Sequence, residues 1–66
     1  MIVKNEYFLK GKVLGQSAFH RGYSCNPEHD NVLKDMYVGK DSEIERSFKN
    51  GWLSGWRGEL LNTGEW

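Results

Sequence analysis

Ile44, Phe48, Trp52, Trp56 and Leu60 recur at every fourth position, with Leu53 and Leu61 beside them. A run this long at helical spacing predicts a helix over about residues 42–62. Each residue turns about 100° around the axis, so strict fourfold spacing drifts by about 40° per step. The apolar stripe therefore wraps, and two surfaces are needed to cover it. Asp41 or Ser42 can cap the start, and Ser42-x-x-Glu45 matches a capping box, in which two side chains satisfy orphan backbone donors. Asn62-Thr63-Gly64 reads as the stop.

A second periodicity is carried by small residues. Gly11, Gly15, Ala18 and Gly22 repeat at spacings of four, three and four, and Gly51, Gly55 and Gly58 repeat inside the aromatic helix. Glycine within a helix costs about 1 kcal/mol relative to alanine, so the repeat implies a packing reason. It predicts a first helix over about 12–23 whose smooth face lets another backbone come close. The alternative places Gly11 and Gly15 in a loop before a shorter helix. Trp52 and Trp56 then fill the flanks, each ring burying roughly 150–250 Å². The expected core is Gly15, Ala18, Gly22, Phe48, Trp52 and Gly55.

The rest of the chain is less periodic. Residues 2–10 are rich in β-branched and aromatic types and suit a strand, an extended arm or a first helical turn. Pro27 pushes Asn26 into an extended conformation and stops any helix before it. Residues 26–41 read as an irregular connector with one short helical turn near Val32–Tyr37. The expected fold is a single all-α domain over residues 1–66: a two-helix hairpin, an N-terminal arm that is extended or helical, and an irregular connector.

Composition narrows the function classes. Sixty-six residues make a small core that often needs a staple or a partner, and a lone cysteine, Cys25, cannot form an internal disulfide. A free thiol, no signal-peptide pattern and no apolar run of about 20 residues predict a cytoplasmic protein off the membrane. Net charge is zero, but Lys4, Lys10, Lys12 and Arg21 against Glu6 give residues 1–24 a charge of +3, leaving −3 for the remainder. Such a split makes either a basic face or two halves that attract each other. His20, Cys25 and His29 with Glu28 or Asp30 lack the paired doublets of structural zinc sites. No residue orients a Cys–His pair for nucleophilic catalysis. No enzyme, metal or cofactor is expected.

Arg21-Gly22-Tyr23, a Cys25-x-Pro27 turn and Trp52-Leu53-Ser54-Gly55-Trp56-Arg57 together resemble the ribosome modulation factor family, small two-helix bacterial proteins. The resemblance spans roughly residues 18–61. It implies a non-catalytic protein that binds the ribosome and modulates translation, with Arg21, Gly22 and Tyr23 acting from the first helix and Trp52, Gly55, Trp56 and Arg57 from the second. On this reading Lys12, Arg21, Lys49 and Arg57 touch ribosomal RNA, and Tyr23 or Trp56 stacks on a base. Zero net charge and an apolar arm fit another reading. There the chain is an interaction protein of the phage or mobile-element type that inhibits or redirects a host protein through Tyr7, Phe8 and Trp56. A homodimer is compatible with both.

Overall fold

The computed structural model describes residues 3–63, as α1 (Val3–His20), a 3₁₀ turn (Pro27–His29), α2 (Asn31–Tyr37) and α3 (Ser42–Thr63). The described residues are all-α, with three helices instead of two. The N-terminal segment is helical from Val3, so α1 starts nine residues earlier than the glycine pattern indicates and ends three earlier. Met1, Ile2 and the stop residue Gly64 lie outside the described residues.

The two long helices do not form a hairpin: they run parallel. Tyr7 packs on Phe48 with ring centroids 5.2 Å apart, Phe19 packs on Trp56 at 5.2 Å, and His20 meets Glu59. Residue numbers thus rise together along both helices. Apolar periodicity fixes which face of a helix is buried but says nothing of its neighbour's direction, which the connection decides. α1 has 18 residues and is about 27 Å long. Residues 21–41 carry the chain back along that length before α3 begins.

Glycines on both helices set the distance between them. A Cβ on Gly11 or Gly15 would fall within 3.0 Å of the Phe48 or Trp52 carbonyl oxygen, and one on Gly51 or Gly55 would meet the Phe8 or Lys12 carbonyl oxygen. The contact is reciprocal, and the backbones touch where side chains would normally hold them apart. Glycine C–H groups facing carbonyl oxygens add about 0.5–1 kcal/mol each. A Cβ on Gly58 would meet nothing within 4 Å, so that glycine takes no part in the close approach.

Gly22 is not in the core either. It is exposed, with φ +84°, in the left-handed region that glycine enters without strain. Its N–H donates to the Phe19 carbonyl (3.1 Å) and that of Tyr23 donates to the Ala18 carbonyl (3.0 Å). This is the Schellman arrangement that closes a helix. The spacing of Gly22 continues that of Gly11, Gly15 and Ala18, but its work is to end α1 rather than to pack it.

Asp41, not Ser42, caps α3: its Oδ1 accepts from the Ile44 N–H at 3.1 Å. The capping box does not form, because Glu45 turns to Lys49 one turn later, at 2.9 Å. Asn26 is extended, as the following proline requires, and its side chain accepts from the Glu28 N–H.

Ala18, Leu33, Phe48 and Trp52 are the buried apolar residues, and Asp30 is buried among them with 1% exposure. Its Oδ1 accepts from the Val32 and Leu33 N–H groups (3.0 and 3.3 Å), capping α2, and its Oδ2 accepts from the Trp52 indole N–H at 2.8 Å. A buried carboxylate is tolerated when such donors and a helix N-terminus offset its lost hydration. Asp30 thereby ties the crossover to α3. Asp30→Ala removes the cap and strands a buried indole N–H, and should cost about 2–4 kcal/mol. Urea denaturation followed by circular dichroism checks this, and an unchanged midpoint contradicts the tie.

Candidate functional site

The end of α1 and the middle of α3 bring one group of the expected site residues together. The Schellman turn projects Arg21 outward, and its guanidinium lies over the Tyr23 ring, 4.9 Å from the centroid, with Nη2 donating to the Tyr23 hydroxyl at 3.1 Å. Such stacking is worth about 0.5–1 kcal/mol at an exposed site and holds the cation in one place. Beneath it, the Trp56 indole N–H donates to the Tyr23 carbonyl (2.9 Å), while the ring meets Phe19 edge-on. Trp56 is half-buried and committed on both counts, so it anchors the turn and is not an open stacking platform. His20 Nε2 lies 2.8 Å from Glu59 Oε1, a pairing in which the ring nitrogen donates, and this joins the two helices at the same end.

Lys49 belongs to a different cluster. Its ammonium sits 2.6 Å from Glu28 and 2.9 Å from Glu45, and 5.4 Å from the Tyr37 ring centroid. Hydrogen bonds that the Lys49 ammonium donates to Glu28 and then to Glu45 raise the Lys49 pKa well above its ordinary value, and the bond from Lys49 lowers that of Glu28. Burial pushes the Tyr37 hydroxyl up. Lys49 is therefore a structural cation clasping the 3₁₀ turn to α3, not a free contact for phosphate. Lys12 is half-buried, with its backbone under Gly55. Arg57 is exposed on α3. Tyr7 is half-buried with its ring on Phe48, and Phe8 is half-buried with its carbonyl against Gly51; Leu9 and Val13 are more open, at 57% and 62% exposure, the exposed large apolar residues of α1 among the described side chains.

Beside the Lys49 cluster lies an open hollow of about 360 Å³, lined by Pro27, Ser42, Glu45, Arg46, Lys49, Asn50 and Leu53. Arg46 and Asn50 were not singled out by the sequence, although they are one turn apart on the polar face of α3. Pro27 carries no sequence signal for this role, because only the crossover brings it there. Cys25 is exposed and unbonded. Among the described residues, no three His, Cys, Asp or Glu side chains stand together to hold a metal ion, and no helix is long and apolar enough to cross a membrane.

Comparison with known proteins finds no matching family model, no matching curated protein and no matching solved structure. The functional reading therefore stands on the arrangement of charge and surface.

Proposed function

We propose that this chain is a non-catalytic binding protein that associates with the ribosome through ribosomal RNA and modulates translation, with Arg21, Tyr23 and Arg57 as its principal contacts. One observation carries the reading. Glu28, Asp30, Asp41, Glu45 and Glu59 are engaged by groups of the chain itself, whereas the exposed Arg21, Arg46 and Arg57 pair with no carboxylate among the described residues. A formally neutral chain thus offers guanidinium groups to a partner, while five of its nine carboxylates are already engaged by its own groups. Guanidinium groups bind phosphate in two-pronged fashion, and Tyr23 stiffens one of them. Arg57 follows Trp56 on α3, which fixes the turn carrying Arg21 and Tyr23.

Co-sedimentation with bacterial ribosomes tests the proposal. Binding should weaken as salt rises, with a shallow slope of about −0.7 to −0.9 per phosphate contact. Arg21→Glu with Arg57→Glu should abolish sedimentation and leave the helical circular dichroism unchanged. Binding that survives both reversals ends the ribosome reading. A host-protein inhibitor of the phage type is the second reading, favoured by the exposed Leu9 and Val13 one turn apart on α1. It predicts a ribonuclease-resistant complex that is lost on Leu9→Ser with Val13→Ser.

A further inference from the structure

We propose that the hollow between the Pro27 turn and α3 is a site for one nucleotide, holding a planar base together with its phosphate. Its volume of about 360 Å³ lies at the small end of ligand sites, which run from about 300 to 1,000 Å³. Its walls differ in kind. Pro27 and Leu53, both half-buried, give apolar surface for the flat face of a ring. Asn50 is exposed beside them, and its carboxamide presents a donor and an acceptor side by side. That pair is complementary to the edge of a base such as adenine.

Arg46 is the group of the hollow that can take an anion. Lys49 forms part of the wall, but its ammonium is held between Glu28 and Glu45, two carboxylates that outnumber it, so it offers no charge to a ligand. Arg46 has no such partner and is exposed at the rim, one turn from Asn50, so both reach the same side of α3. A ligand that satisfies Arg46 and also covers Pro27 and Leu53 carries a negative group next to an apolar plane. Arg57 lies one turn beyond Leu53, so a strand entering the hollow meets a second guanidinium. The source of the nucleotide, free or within single-stranded RNA, is where this inference rests on the ribosome reading; the chemistry of the hollow does not.

Isotope-labelled full chain titrated with adenosine monophosphate, with a short polyadenylate RNA and with inorganic phosphate decides the matter. Saturable amide shifts are expected at Glu28, Arg46, Asn50 and Leu53 with the first two, and weaker ones with phosphate. Arg46→Gln should weaken both by about tenfold, and Asn50→Ala should remove the preference for adenosine over uridine nucleotides. Both side chains are exposed, so neither variant threatens the fold. Tighter binding of the RNA assigns the nucleotide to RNA, and binding of the mononucleotide alone assigns it to the free pool. Absence of saturable shifts with either, or shifts indifferent to both variants, overturns the site. Ribosome sedimentation measured alongside separates the two ideas: nucleotide binding without sedimentation removes the ribosome reading only, and sedimentation without nucleotide binding removes the hollow only.

Discussion

Gly15→Ala should destabilise the protein by about 3 kcal/mol, while Gly58→Ala should stabilise it by about 0.5–1 kcal/mol. The chemical change is the same and both sites are helical, so the difference isolates the packing. Alanine gains about 1 kcal/mol of helix propensity at either position. At Gly58 a Cβ would meet nothing within 4 Å, and that gain is kept. At Gly15 the new methyl collides with the Trp52 carbonyl, a backbone atom that cannot rotate away. The helices must separate, and separation loosens the Tyr7–Phe48 and Phe19–Trp56 contacts on either side. Equilibrium unfolding of both variants measures the pair. A Gly15→Ala protein as stable as Gly58→Ala shows that the backbones do not touch.

Trp52→Ala should cost about 3–5 kcal/mol, the range for truncating a buried aromatic. The ring is fully buried, and its indole N–H is the donor to Asp30 Oδ2. Truncation therefore opens a cavity and also leaves a buried carboxylate oxygen without its partner, so the loss falls toward the upper end. Total stability for a domain is commonly about 5–15 kcal/mol, and a chain of 66 residues belongs near the bottom of that range. Trp52→Ala is expected to be largely unfolded without osmolyte. Trp52→Phe keeps much of the bulk and removes only the N–H, so it should retain the fold with a smaller loss. A Trp52→Ala protein that melts with the wild type would put the ring at the surface.

Both variants bear on function through the same geometry. Trp56 sits one turn beyond Trp52 and holds the Tyr23 carbonyl, so separating α1 from α3 also releases the turn that carries Arg21. Surface variants such as Arg21→Glu and Arg46→Gln avoid this coupling, which is why binding is tested through them.

The sequence by itself determined the elements and much of the interior. The fourfold repeat from Ile44 to Leu60 specified α3, and the small-residue spacing marked Gly15, Ala18 and Gly55 for close approach, because faces follow from local helical geometry alone. Pro27 specified the extended Asn26 before it. Tertiary structure decided the rest. Whether α1 and α3 run parallel or antiparallel depends on where residues 21–41 travel, and no period within a helix encodes that. Identical glycines acquired different roles, Gly15 under a carbonyl, Gly22 ending a helix and Gly58 facing open space, according to what lies opposite them. The same holds for charge. Lys49 and Arg57 look alike as cations on one helix, yet the crossover places Glu28 against one and leaves the other exposed. Asp30 became the buried tie to Trp52 only when the chain returned over α3. Contacts between residues distant in sequence are set by the path of the chain, and composition and periodicity are blind to that path.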